Sequence, residues 1–247
     1  MTPLPTSLER EPLVDAVFEV RVNGAPPLGD ILPGYLLHEL GHGTSISRLP
    51  TAEIPYPMRK DDANLQFAPV QRIDVDGYSI LVGDRNIIVS CDLPYPKWPN
   101  FKNAILDFMN RISKANLPGI VERYSLKYVN LIQAPSYEEQ ISKIAMRIRL
   151  GDLEVRCEHV TLTVHRKEND IVHILSVATG ARGTFGEKDV TGVLVDVDSI
   201  REVNGPSFSV FTEGLEDSVE TLRQSNKRKF FSCLTEASIK EMEPSYD

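Results

Sequence analysis

Two long amphipathic helices, each placed after a series of short strands, most constrain how this chain can fold. The first helix is predicted over residues 98–114, where apolar residues recur every three or four positions. The second is predicted over residues 211–224 on the same spacing. Strands with alternating apolar residues precede each helix. This order is typical of helices that cover one face of an antiparallel sheet, so the sequence predicts an α+β protein.

The order of elements also repeats along the chain. Residues 1–120 and 121–247 each read as an opening strand, a short helix, several further strands and a long helix. The opening strands are predicted over residues 13–22 and 124–132. Few residue identities match between the halves, so internal duplication rests on element order alone. We predict two similar halves, each with a short helix, a sheet of about four strands and a long covering helix.

Three segments between these elements are predicted to be irregular. Residues 44–64 contain several prolines and little periodicity. The glycine-rich stretch from Gly180 to Gly186 lacks the Lys-Ser/Thr ending of a phosphate-binding loop and is interpreted as a connection. The basic run from Asn226 to Lys229 is interpreted as a solvated turn, with phosphate contact as the alternative.

Composition excludes several functional classes. The 247-residue chain has a formal net charge of −8 and a pI near 5.2, which argues against general affinity for nucleic acid or anionic membrane. No apolar run approaches the ~20 residues that span a bilayer, and Met1 to Ser7 does not resemble a signal peptide. Three widely separated cysteines form no C-x-x-C pair. We therefore expect a reduced, cytoplasmic protein without a disulfide framework.

One motif indicates a specific chemistry. Residues 38–42 form the pattern H-E-x-x-H, in which two histidines one helical turn apart hold zinc and the glutamate acts as general base. On this hypothesis the ligands are His38 and His42, and Glu39 is the catalytic residue of a zinc metallopeptidase. The motif falls at the end of a helix predicted from about residue 29 to residue 40.

The chain offers no recognised third ligand for that zinc. The position of the third histidine in the longer zinc-peptidase motif is occupied by Arg48, and the nearest downstream carboxylates lie in the proline-rich segment. His159, His165 and His173 lie in predicted strands at no recognised spacing. The competing interpretation is that His38 and His42 cap a surface helix, where positive charge suits the helix dipole. No metal or cofactor is then expected.

A second pair of candidate ligands is Asp196 and Asp198, which alternate on a predicted strand and therefore share one face. Paired carboxylates of this kind bind a divalent cation in some proteins. They also mark the solvent face of many sheets, and we favour that interpretation. Cys91, Cys157 and Cys233 have no basic residue placed to activate them, so no nucleophile is predicted.

Three segments resemble one family. The opening segment, residues 8–20, contains a proline followed by an aliphatic and acid-Ala strand, Pro12-Leu13-Val14-Asp15-Ala16. The central segment contains Lys127-Tyr128-Val129-Asn130. The third contains Phe230-Phe231, then Thr235-Glu236 and Glu243-Pro244. In order and spacing these resemble an uncharacterised, sporadically distributed prokaryotic family of about this length.

The resemblance implies no established activity, cofactor or catalytic residue, and the family has no zinc signature in this region. A patchy distribution is typical of accessory genes, such as toxin-neutralising or phage-defence partners. We therefore expect a cytoplasmic, non-enzymatic binding protein whose partner is another protein. A zinc metallopeptidase is the alternative, and a small-molecule binding protein is the second alternative.

Overall fold

The described part of the chain combines seven α-helices with a large antiparallel sheet of nine strands. The structure is a computed structural model, and it describes residues 4–24, 26–185 and 188–246. Met1 to Pro3, at the head of the N-terminal segment, lie outside the described residues. The α+β class predicted from the sequence is confirmed. None of the described helices has the length and apolar character needed to cross a membrane.

Thirteen strands are described, and many of them are long. In chain order they are β1 (Ser7–Leu8), β2 (Leu13–Asn23), β3 (Ser45–Arg48), β4 (Pro69–Val75), β5 (Tyr78–Gly83), β6 (Asn86–Cys91), β7 (Ile120–Gln133), β8 (Arg149–Leu150), β9 (Leu153–Glu154), β10 (Thr161–Glu168), β11 (Ile171–Phe185), β12 (Lys188–Glu202) and β13 (Pro244–Ser245).

Seven α-helices lie between these strands along the chain. They are α1 (Leu28–Leu40), α2 (Tyr56–Asp61), α3 (Trp98–Lys114), α4 (Tyr137–Ser142), α5 (Phe208–Glu213), α6 (Leu215–Ser232) and α7 (Glu236–Glu241). A 3-10 helix, Pro50–Glu53, lies between β3 and α2.

The large sheet has the strand order β10-β11-β12-β7-β2-β6-β5-β4-β3. Two small sheets, β1 with β13 and β8 with β9, complete the pairing. One sheet therefore takes strands from both predicted halves. The predicted internal duplication is not confirmed.

The chain forms two compact units, and each is built from separate segments. Unit 1 consists of Met1–Val14, Lys127–Ser199 and Arg223–Asp247. Unit 2 consists of Asp15–Leu126 and Ile200–Leu222. The sequence predicted a single division near residue 120, and that division stays a prediction.

Unit 2 packs α1 and α3 against its strands. Phe18 and Val20 in β2 are fully buried, whereas Glu19 between them is only partly buried, so successive side chains lie on opposite faces. α3 buries an apolar stripe, and its Phe108 meets the ring of Tyr78 edge-on with centroids 5.9 Å apart. The stripe is Phe101, Ile105, Phe108, Met109 and Ile112.

Unit 1 has its own core beneath the C-terminal part of α6. Val193, Val195 and Val197 alternate on β12, and all three side chains are buried. Phe230 and Phe231 of α6 belong to the same cluster, with their ring centroids 5.2 Å apart. The second long helix therefore covers one face of this part of the sheet.

Candidate functional site

The HExxH motif lies where α1 ends. The helix ends at Leu40, and Gly41 follows with a φ of 75°, a left-handed conformation that favours glycine. His42 therefore lies beyond the helix, and the two histidines do not occupy successive turns of it. The side chains of His38 and His42 are exposed.

Glu39 is engaged with α3. Its Oε1 lies 3.9 Å from Nη1 of Arg111, and the same guanidinium donates a 3.4 Å hydrogen bond to the backbone oxygen of Glu39. Tyr35, one turn earlier, donates its hydroxyl to the backbone oxygen of Arg111 at 3.2 Å. The turn that carries the motif thus joins α1 to α3.

The other histidines lie in three different environments. The ring of His159 meets Tyr137 edge-on at 5.9 Å, His165 is exposed on β10, and His173 is fully buried. Within the described ranges, no three His, Cys, Asp or Glu side chains come together as metal ligands. The zinc hypothesis therefore stays a prediction without a third ligand.

His173 is the centre of a buried polar cluster in unit 1. Its Nδ1 lies 2.9 Å from Oγ of Ser199, and its Nε2 lies 3.0 Å from Oγ of Ser225. Asn226 donates from Nδ2 to the backbone oxygen of Val197 at 2.7 Å and to Oγ of Ser199 at 3.0 Å. These hydrogen bonds join α6 to the sheet. The imidazole is fully buried, so a substrate cannot reach it.

This cluster corrects the interpretation of residues 226–229 as a solvated turn. These residues lie inside α6, Asn226 is buried, and Lys229 forms an ion pair with Glu168. The helix continues through this polar run because Asn226 and Lys229 find partners on neighbouring strands.

We expect the free energy of unfolding to decrease as the pH falls below about 6.5, because His173 is held neutral in the folded protein. Burial, followed by the charge of Lys229, lowers the pKa of His173 below its ordinary 6.5. The unfolded chain therefore takes up this proton at a higher pH than the folded chain. This stabilising contribution is complete above the unfolded pKa and declines as the pH falls toward the folded pKa.

Urea unfolding at about pH 7.5 and about pH 5.5 measures this effect. His173→Gln keeps a neutral hydrogen-bonding side chain, so it should remove this part of the pH dependence. An equal loss of stability in the variant and the wild type between the two pH values would contradict the assignment.

Asp196 and Asp198 lie on one face of β12, as predicted, but that face is only partly open. The side chain of Asp196 is 19% exposed, and its Oδ2 lies 3.0 Å from Nζ of Lys127. Burial raises the pKa of Asp196, and the hydrogen bond from Lys127 opposes that shift. Asp196 and Asp198 therefore lie on a half-buried face, where Asp196 is already paired with Lys127.

Two of the cysteines, Cys91 and Cys233, are poorly suited to act as nucleophiles. Cys91 is buried, and burial, with a smaller effect from Asp15, raises the pKa of its thiol to about 12. Burial also raises the pKa of Cys233. A thiol with a raised pKa carries little thiolate at neutral pH and is a poor nucleophile.

A cleft in unit 1, which the sequence did not predict, is a candidate site for a ligand. It encloses about 860 Å³ beside α4, within the size range of small-molecule sites. The residues that line it come from the start of α4, from β11 and from β12. Those used below are Ser136, Tyr137, Gln140, Gly180, Arg182 and Thr191.

Gln140 holds two walls of this cleft together. Its side chain is buried, and Nε2 donates to the backbone oxygen of Ala134 at 3.0 Å. Its Oε1 accepts from the backbone N–H of Gly180 at 2.6 Å. Both ends of the amide are satisfied, so the segment before α4 is fixed to β11.

Gly180 permits an aromatic wall. Its φ is 71°, and a Cβ added to it would lie 3.0 Å from Cε1 of Tyr137 and 3.4 Å from Cδ2 of His159. The missing side chain lets both rings approach the strand. The glycine-rich stretch is therefore not the predicted connection, since residues 181–185 belong to β11, while Gly186 lies outside the described residues.

Two hydrogen-bond donors of the cleft have no acceptor in the described part of the chain. These are the hydroxyl of Tyr137, whose residue is 41% exposed, and the exposed guanidinium of Arg182. The other hydroxyls are used, since Ser136 caps α4 at the N–H of Glu139 and Thr191 donates to a backbone oxygen at 3.2 Å. The cleft, which Asp189 also lines, therefore offers a phenol and a cation to a ligand with oxygen acceptors.

The structure therefore shows an α+β protein with a partly polar cleft in unit 1. Comparison with known proteins finds no family model and no curated protein that matches this chain. The family resemblance described above therefore stays a prediction.

Proposed function

We propose that this chain is a non-enzymatic binding protein that holds a small polar molecule in the cleft of unit 1. The observation that carries the proposal is the pairing of two available donors, on Tyr137 and Arg182, with walls that Gln140 fixes. Rigid walls lower the entropy lost on binding, and a few placed polar groups orient a ligand. The proposal corresponds to the second alternative drawn from the sequence.

The ligand that fits this site carries oxygen acceptors and fits within about 860 Å³. Arg182 provides charge-assisted hydrogen bonds to a carboxylate or a similar group, and the Tyr137 hydroxyl adds a weaker neutral one. The exposed part of the Tyr137 ring gives an apolar contact.

Equilibrium dialysis against the small-molecule fraction of a bacterial extract, with mass spectrometry of what the protein retains, tests the proposal. We expect a compound retained by the wild type, with affinity lower by about tenfold to a hundredfold in Arg182→Gln, because a charge-assisted bond is lost. Tyr137→Phe keeps the ring packing against Gly180 and should lower affinity by a factor of about ten or less.

Arg147→Gln is the matched control, because Arg147 is an exposed arginine of unit 1 that does not line the cleft. It should retain the compound as the wild type does. The proposal fails if no compound is retained, or if all three variants retain it equally.

The alternatives predict different results in the same preparation. A zinc metallopeptidase would contain about one equivalent of zinc and lose it in His38→Ala, with peptide hydrolysis that depends on Glu39. A protein partner in a toxin-neutralising or phage-defence system, in the cytoplasm, is supported by the family resemblance alone. The cleft favours the small molecule.

A further inference from the structure

A groove of about 440 Å³ in unit 2 is independent of the cleft and rich in arginine. Its walls include Arg21, Phe67, Glu122, Arg123 and Glu202. Arg21 and Arg123 lie on the face of the sheet that carries Glu19, and their side chains are 26% and 24% exposed. Such half-buried guanidiniums keep more of their electrostatic strength than exposed ones.

Both guanidiniums depend on one carboxylate. Oε2 of Glu19 accepts a 3.0 Å hydrogen bond from Nε of Arg21 and a 3.1 Å hydrogen bond from Nη2 of Arg123. Its Oε1 accepts from Nδ2 of Asn86 at 2.8 Å. Two cations therefore share one anion, and this cluster carries one excess positive charge.

Several donors of these arginines remain unused. Nε of Arg123 is buried and has no hydrogen-bond partner among the residues that the structure describes. Of the five N–H groups of Arg21, only the one on Nε is hydrogen-bonded within those residues. The Nη donors of Arg21, whose side chain is partly exposed, are therefore available to an acceptor that enters the groove.

The arginines are also held in place before any ligand binds. The guanidinium of Arg21 lies 4.0 Å from the ring centroid of Phe67, and that of Arg85 lies 5.1 Å from the same centroid. Arg85 is paired with both oxygens of Glu122, at 3.2 and 3.0 Å, so this carboxylate is already neutralised. Stacking fixes the planar fork of Arg21, which favours planar or tetrahedral oxyanions.

We propose that this groove binds the oxyanion group of a small molecule, a carboxylate or a phosphate, between Arg21 and Arg123. The group accepts hydrogen bonds from the Nη groups of Arg21 and from Nη1 of Arg123, beside the Nη2 that donates to Glu19. Glu202, an exposed carboxylate on the groove wall, opposes this binding by repulsion. The site is separate from the cleft and does not rest on the function proposed for it.

Isothermal titration of the full chain with inorganic phosphate and with acetate, against chloride at equal ionic strength, tests the site. We expect binding of at least one of the two oxyanions but not of chloride. The oxyanion that binds more tightly indicates whether the group is a phosphate or a carboxylate. Arg123→Gln should weaken it by about tenfold to a hundredfold, because charge-assisted bonds are lost. Glu202→Gln should strengthen it by about twofold to fivefold at low salt.

Arg72→Gln is the matched control, since Arg72 lies on β4 of the same unit, pairs with Asp74 and does not line the groove. It should change oxyanion affinity by less than about twofold. Arg21→Gln provides a second variant if Arg123→Gln fails to fold, which thermal unfolding without ligand reveals. The proposal is overturned if the wild type binds neither oxyanion, or if the groove variants bind them as Arg72→Gln does.

Discussion

Asp84→Ala is expected to lower the free energy of unfolding by about 3–5 kcal/mol, because it leaves the Arg59 guanidinium buried without its counter-ion. Oδ2 of Asp84 accepts from Nε of Arg59 at 2.8 Å, and Oδ1 accepts from Nη2 at 2.9 Å. Their side chains are only 3% and 6% exposed. Arg59 also donates to the backbone oxygen of Ile54. The pair therefore fixes α2 and the preceding segment against the β5–β6 turn of unit 2.

Urea unfolding of wild type and variant, followed by circular dichroism, measures the change. Glu216→Gln is the control, because that carboxylate is 67% exposed and pairs with Lys102 on the surface, where loss of the pair should change stability by about 1 kcal/mol or less. The double variant Arg59→Met/Asp84→Leu removes both charges and should recover part of the loss. A loss below about 1 kcal/mol in Asp84→Ala would refute the assigned role.

Gly192→Ala is expected to destabilise unit 1 by about 1–3 kcal/mol, since the space for a side chain is occupied by the neighbouring backbone. A Cβ at Gly192 would lie 2.2 Å from the carbonyl oxygen of Ile132 and 2.8 Å from its carbonyl carbon. Backbone atoms of a paired strand cannot move aside as a flexible side chain can. The added methyl group must therefore separate β12 from β7 locally.

Gly34→Ala makes the same chemical change where nothing lies within 4 Å of the added Cβ. Gly34 is exposed inside α1, and alanine is the better helix former, so this variant should gain about 0.5–1 kcal/mol. Thermal unfolding of both variants measures whether each substitution raises or lowers the stability of the protein. If both substitutions shift stability in the same direction, the close approach at Gly192 does not determine its effect.

The parts of the fold that the sequence predicted well are those whose signals are local. α3 has its predicted bounds, because an uninterrupted apolar stripe and a proline at the first turn define it without tertiary information. Ser136 caps α4 through its side chain, and a serine before an acidic helix start is a local signal of the same kind.

The parts that the sequence did not predict depend on tertiary contacts. Residues 44–64 read as irregular, yet they contain β3, a 3-10 helix and α2, and the buried pair of Arg59 with Asp84 stabilises this segment. β11 runs through Gly180 and Gly183, which the sequence predicts as part of a connection, because these glycines leave room for the side chains of Tyr137 and Leu131. The order of nine strands also depends on pairings between residues far apart in the chain.

The sequence did not predict the candidate cleft, because tertiary contacts bring its residues together. No sequence pattern singles out Tyr137, and Gly180 belongs to the stretch that the sequence predicts as a connection. Their closeness depends on the hydrogen bonds of Gln140, which no periodic pattern indicates. The most specific local motif, His38 to His42, instead lies at the end of α1. Its Glu39 lies near Arg111.

The segmented composition of unit 1 has a consequence for biosynthesis. Its core joins Ile132 and Val177 to Phe230 and Met242, and Leu8 pairs with Pro244 in the small terminal sheet. A ribosome delivers these residues in order, so β11 and β12 emerge well before the helix that covers them. The nascent chain must therefore keep these apolar strands from aggregating until residue 242 has left the exit tunnel. We therefore expect the amount of folded protein to depend on synthesis rate and chaperone supply as well as on equilibrium stability.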